Sequence, residues 1–164
     1  MIVVPDAGPL IYLAGAGLLD LLPKLFVRVV VPQVVWDEVV VHGAGQVDAA
    51  AVAAATWLER ADAKPEPGLL SILDAGEAAA IPVAERLGAT LLCDDADGRT
   101  EARKRGLPVV GTLGVLLRGK REGHLTEIAP AVARMTALGM FVAPALLAHV
   151  LVLAEEAPAG ADRT

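Results

Sequence analysis

The sequence predicts an α/β fold: a parallel sheet covered by helices on both faces. Three observations predict it. Short apolar runs, "IVVP", "VRVVVP", "ATLLC" and "LPVVGT", alternate with helix-like segments along the chain. Those runs lack the polar alternation of a sheet wetted on one face. Acids follow two of them directly: Asp6 after the first, and Asp94, Asp95 and Asp97 after the third. In parallel sheets, ligands bind beyond the carboxyl ends of the strands, so these acids can converge on one site.

The elements follow in order. Ile2 to Pro5 is the first strand. "GPLIYLAGAGLLDLLPKLF" reads as loop and short helices, with Pro9 suited to a first helical turn. Val27 to Pro32 is the second strand, and a helix starts at Pro32 and stops at Gly43. The alanine-rich "VDAAAVAAATWLERA" is helical by propensity throughout. Ala63 to Gly68 is a loop. Leu73 to Gly88 is a helix that Pro82 should kink or split near Ile81, because proline removes a backbone donor. "ATLLC" is the third strand, "GRTEARKRG" a short basic helix, and "LPVVGT" the fourth strand. Helices over "LGVLLRGKREG", "EIAPAVARMTALG" and "PALLAHVLVLAEE" complete the chain. Residues 1–156 are expected to form one domain and 157–164 a flexible tail.

Bulk composition narrows the function classes. The chain has 164 residues, 55% apolar and 21% charged, which suits one domain with a real core. Aromatics are only 3%, so the core must be aliphatic. A net charge of −6 argues against a broad phosphate-gripping surface, though not against a local basic patch. The single cysteine, Cys93, excludes an internal disulfide and fits a cytoplasmic location; it reads as a small buried hydrophobe. The start of the chain has no basic region of the secretory type. Ala137 to Ala154 is apolar enough to resemble a membrane span, but Gly139 and Pro144 interrupt it, so no membrane role is expected.

The acids carry the chemistry. Asp6, Glu38, Glu77 and the group Asp94, Asp95, Asp97 follow strands or open helices. Oxygen ligands with few histidines suit Mg2+ or Mn2+ rather than zinc. Each acid also has a plain structural role. Asp6 is a fit helix cap; Glu38 suits a helix dipole. Asp74 and Glu77 have capping-box spacing, and Asp97 is a natural cap for the basic helix. Asp94 suits solvent or a pair with Arg99 or Arg103. His42, His124 and His149 are too scattered to form a ligand set, and Trp36 and Trp57 suit core or dimer contacts.

Taken in order, "VVPDAGPLIYLA", "VPQVVWDEV", "LDAGEAAAI", "LLCDDADGR" and "GLPVVGTLGVLLRGKREG" resemble the PIN domain family, in its branch of VapC-type toxins. The resemblance implies a three-layer α/β/α fold with a central parallel sheet of four or five strands. It implies a Mg2+- or Mn2+-dependent endoribonuclease acting on RNA, a homodimer, and a protein antitoxin as partner. It assigns the catalytic acids to Asp6, Glu38, Glu77 and Asp95, with Asp97 and Asp94 as further metal candidates. Thr112, Arg99, Arg103 and Lys120 are the candidate substrate contacts. Where the family usually has Ser or Thr two residues after the first acid, this chain has Gly8. That departure keeps open a PIN-like module with weak or no activity. A phospho-acceptor receiver domain is disfavoured, since its acidic pair follows the first strand rather than the third.

Overall fold

The computed structural model describes residues 1–156; the tail expected over 157–164 lies outside the described residues. The strands are β1 (Ile2–Pro5), β2 (Arg28–Pro32), β3 (Leu58–Ala61), β4 (Thr90–Leu92) and β5 (Val109–Val110). They form one parallel sheet in the order β3-β2-β1-β4-β5. The helices are α1 (Ala7–Gly15), α2 (Leu21–Leu25), α3 (Gln33–Trp36), α4 (Val47–Ala54), α5 (Ala75–Leu87), α6 (Ala96–Lys104), α7 (Thr112–Arg121), α8 (Ala129–Ala137) and α9 (Pro144–Leu153).

Alternation along the strands divides the core in two. Val3, Val29, Val31 and Leu92 point to one face, where they pack with α1, α2, α7, α8 and α9. Val4, Val30, Leu91 and Cys93 point to the other, against α5 and α6. Both faces are covered, which is why the strands read as continuous apolar runs. The three-layer α/β/α arrangement with a parallel sheet stands, with five strands.

Three local expectations change. The segment "VDAAAVAAATWLERA" is not one helix: α4 ends at Ala54 and Leu58–Ala61 is strand β3. Strand pairing with β2 overrides the helical propensity there. As an edge strand, β3 tolerates the exposed Glu59 and Arg60 that hide its strand pattern; Glu59 pairs with Arg28 and Arg60 stacks over Trp36. The helix from Pro32 is also irregular. After α3 it widens into a turn over Asp37–Val41, where the His42 N–H donates to the Asp37 carbonyl five residues back.

The third change concerns Pro82, which does not split α5. The proline has no N–H for the carbonyl of Ala78. That carbonyl instead accepts the Glu66 N–H at 2.9 Å, so it helps fasten the loop of residues 63–68 to the helix. Gly88 ends α5 in the left-handed conformation, φ 60°, as its place after the helix predicts.

Among the described residues, no helix is long and apolar enough to cross a membrane. The apolar C-terminal region is two short helices separated by Gly139, whose φ is 104°.

Candidate functional site

The strand order locates the site. The chain steps outward from β1 to β2 and β3, then returns to the other side of β1 for β4 and β5. The order reverses between β1 and β4, and in parallel sheets of this kind ligands bind at that reversal. Asp6 leaves β1 and Cys93 leaves β4 side by side, with the Asp6 N–H donating to the Leu92 carbonyl at 2.9 Å.

Asp6 is only 8% exposed. It occupies the N-cap position of α1, yet its side chain makes no capping hydrogen bond. Its Oδ1 is buried without a hydrogen-bond partner among the described residues. Such an atom is costly unless something binds it. Burial pushes the Asp6 carboxyl up to about 7; the Ala7 N–H opposes this, while Asp74, Glu38 and Asp95 add to it.

Two glycines make room for the acids. A Cβ on Gly76 would stand 2.9 Å from Asp6 Oδ1, 3.4 Å from Asp74 Oδ1 and 3.4 Å from Glu38 Oε2. A Cβ on Gly98 would stand 2.9 Å from Cys93 Sγ and 3.2 Å from Glu77 Oε1. Helices α5 and α6 therefore approach the strand ends closely, and their first turns form two walls of the crevice.

Asp74 caps α5, accepting the Glu77 N–H at 2.8 Å. The Glu77 side chain turns inward, where its Oε1 accepts from the Cys93 thiol at 3.9 Å. Asp6, Glu77 and Cys93 bring their donor atoms within 4.8 Å of one another, and all three residues are buried. Burial pushes Glu77 up to about 8, helped by Asp6, Asp74 and Asp95. Burial also pushes the Cys93 thiol up, with Asp6 and Glu77 adding to the effect. Glu38 is raised by desolvation first and by Asp74 second, and His42 opposes both.

The aspartates after β4 take separate roles. Asp95, not Asp97, caps α6: its Oδ2 accepts the Gly98 N–H at 3.0 Å. Its charge is still felt by both Asp6 and Glu77. Asp97 lies exposed in the first turn of α6. Asp94 is exposed, yet it is fixed in place: it accepts the Thr112 N–H at 2.7 Å on Oδ1 and the Thr112 hydroxyl at 2.5 Å on Oδ2. Thr112 is fully buried at the start of α7, so its hydroxyl serves Asp94 rather than an incoming substrate.

The basic candidates also separate. Arg99 Nη1 donates to the Cys93 carbonyl at 2.8 Å, bracing the end of β4. Arg103 is exposed in the last turn of α6. Lys120 is tied to the Ala154 carbonyl and to Glu156, whose carboxylate also accepts the N–H groups of Ile128 and Ala129. That ammonium holds the C-terminal segment, and the structure does not bring it to the acids. Arg105, in the same basic run as Arg103, is engaged by Glu66, Glu85 and Glu101.

Sequence reasoning undervalued four residues here. Spacing marks Asp74 only as a cap and Cys93 only as a hydrophobe, whereas Asp74 also faces Gly76 beside Asp6 and Cys93 also contacts Glu77. Gly76 and Gly98 carried a signal: each follows an acid within the first turn of a helix, where no turn requires glycine. Glycine in that setting marks close approach by another group.

Buried carboxylates with raised pKa values, one orphaned oxygen and glycines that keep the space open suit a divalent cation, whose charge would restore the ionised forms. Fold and site together thus define a parallel α/β protein with an acidic, cation-compatible crevice at its topological switch point. A family model described as a PIN domain matches residues 2–156, and the chain belongs to that family. Members of this family are in general nucleases. A PilT N-terminus domain protein from the hyperthermophilic archaeon Sulfolobus solfataricus P2 shares the fold. The match has a TM-score of 0.53 and 18% identity, covering 77% of this chain and 100% of that one. A protein from Pyrobaculum aerophilum matches with a TM-score of 0.49 and 19% identity, over 74% of this chain and 99% of that one. A comparison with curated proteins gives no match.

Proposed function

We propose that the chain is a divalent-metal-dependent endoribonuclease of the toxin type, cutting phosphodiester bonds of RNA. The observation that supports it most is the unpartnered Asp6 Oδ1, facing Gly76 alongside Glu38 and Asp74. Asp6, Glu38, Glu77 and Asp95 would hold Mg2+ or Mn2+, with Asp97 at the rim. When bound, the ion supplies a polarised water and offsets charge on the phosphoryl oxygens.

The protein's own groups do the rest. Asp6 and Glu77, buried and raised in pKa, accept a proton readily near neutral pH when no cation is present. Asp95 fixes the first turn of α6 beside them, and Arg99 holds the strand end that carries Cys93 to Asp95. Asp94 fixes the start of α7 through Thr112. Arg103 is the exposed cation on α6 that best suits an RNA phosphate.

A homodimer, a protein antitoxin and a cytoplasmic setting belong to the same reading, as features of the toxin branch. The test is cleavage of a mixed RNA pool by metal-stripped protein, with Mg2+ or Mn2+ added back. Cleavage that needs the ion and is lost in Asp6→Asn supports the reading; undiminished cleavage by that variant overturns the mechanism. The second reading, a metal-binding module without activity, is favoured by Gly8, which stands where the family usually has a hydroxyl residue. Metal binding by the wild type without cleavage would select it.

A further inference from the structure

Cys93 does more in this site than fill space. It is fully buried at the carboxyl end of β4 and packs with the apolar face under α5, yet its sulfur also lies 3.8 Å from the Asp95 carbonyl and within reach of two buried carboxylates. Sγ lies 3.9 Å from Glu77 Oε1, and the donor atoms of Asp6, Glu77 and Cys93 fall within a 4.8 Å span. Asp6, 8% exposed and with Oδ1 unpartnered, supplies an independent sign that a ligand belongs there. Gly98 lets the first turn of α6 close directly over the sulfur and Glu77, since a Cβ at that position would come 2.9 Å from Sγ and 3.2 Å from Glu77 Oε1.

We propose that Asp6, Glu77 and Cys93 form a mixed carboxylate–thiolate site that takes a thiophilic divalent cation of the Zn2+ class in place of the hard ion. The inference rests on the reading that Asp6 and Glu77 hold a divalent ion. It adds that the third donor is sulfur, which changes which ions win. A tetrahedral cation with bonds of about 2.0 Å to oxygen and about 2.3 Å to sulfur needs its ligand atoms roughly 3.5 Å apart, close to the spacing here. Thiolate ligands select softer ions, whereas Mg2+ gains nothing from sulfur. On binding, the thiol proton is exchanged for the cation and released to the buffer, with no change of oxidation state. A tightly held Zn2+ would then exclude Mg2+ or Mn2+ and silence the site, so that availability of a soft metal regulates it.

Cadmium reports on this directly, because a cadmium–thiolate bond has an ultraviolet charge-transfer band. The full chain, stripped of metal, is titrated with Cd2+ alone. The expected result is a band that saturates near one ion per chain; with a single cysteine in the chain, the band can only come from Cys93. Cys93→Ala and Cys93→Ser, checked for folding by circular dichroism, should lose the band and bind Cd2+ at least about tenfold more weakly, the scale on which even outer ligand partners act. Asp6→Asn keeps the cysteine and should also weaken Cd2+. In a parallel titration, Zn2+ should release bound Mn2+ from the wild type, read by the spin-resonance signal of free Mn2+.

Cd2+ binding to the wild type without the band overturns the proposal, as does unchanged Cd2+ affinity in a folded Cys93→Ala. RNA cleavage is measured on the same wild-type preparation. Mn2+-dependent cleavage with no cadmium band sinks this inference alone; a cadmium band with no cleavage under any ion sinks the nuclease reading alone.

Discussion

Asp6 Oδ1 lies 2.9 Å from the point where a Cβ on Gly76 would stand. A real Cβ cannot remain that close to the oxygen, so Gly76→Ala must move one of them. The substitution is otherwise favourable, because Ala exceeds Gly in helix propensity by about 1 kcal/mol. Gly76→Ala is therefore expected to keep thermal stability within roughly 1 kcal/mol of wild type. Mn2+ affinity should fall about tenfold or more, as for disturbed ligand geometry elsewhere. Calorimetric titration and a melting curve on one sample check both halves. Unchanged affinity would show that Asp6 is not where the metal binds.

Metal-free protein should lose stability as the pH rises from about 5 to 8. Asp6 and Glu77 have folded pKa values raised to about 7 and about 8. Between their ordinary carboxylate range and those values, the folded state binds more protons than the unfolded one. Stability then falls with rising pH. Glu59, Glu66 and Glu156 are shifted down instead, so their contribution is lost only as pH falls through the acid range, below this window. Asp6→Asn should flatten the slope, and saturating Mn2+ should reverse it at pH 8. A melting temperature that climbs from pH 5 to 8 without metal would contradict the arrangement.

The bond from Thr112 to Asp94 separates structure from function within the aspartate cluster. Asp94 accepts both the N–H and the hydroxyl of a fully buried threonine that opens α7. Asp94→Ala strands two donors, and a lost cap or an unsatisfied buried group each costs about 1–2 kcal/mol. A destabilisation of about 2–3 kcal/mol by chemical denaturation is expected, with Mn2+ affinity much less affected than in Asp95→Ala. Thr112→Val should reproduce most of the loss. Equal Mn2+ defects in the Asp94 and Asp95 variants would return Asp94 to the metal set.

Four of the five strands were legible because buried parallel strands leave continuous apolar runs, as in "RVVVP" and "TLL". The approach of Asp6 to Glu77 follows from their places after a strand and in the first turn of a helix, whereas Asp95 is exposed and caps α6, acting on both through its charge. Strand β3 was not legible, because an edge strand carries charges and its neighbouring alanines favour helix. The division of labour among Asp94, Asp95 and Asp97 was also hidden. Which aspartate caps a helix depends on where the first turn begins, and a shift of two residues moves the cap from Asp97 to Asp95. The polar role of Cys93 is a matter of side-chain direction across two faces of a strand, and a burial pattern cannot report what stands opposite.

Pro82 supplies the last test. Its missing N–H leaves the Ala78 carbonyl free for the Glu66 N–H, and so couples the middle of α5 to the loop of residues 63–68. That loop leads through Leu69 and Leu73, both buried against α5, to Asp74 at the site. Pro82→Ala restores a helical donor that competes for the same oxygen. The gain in helix propensity, up to about 3 kcal/mol in an isolated helix, should be largely offset here, because the proline is already accommodated. Net stability is expected to change by less than about 1 kcal/mol. The Glu66 amide should exchange with solvent markedly faster than in the wild type. Hydrogen exchange measured at that amide decides the matter: unaltered protection of Glu66 in a folded Pro82→Ala would mean that the carbonyl freed by proline is not what holds the loop.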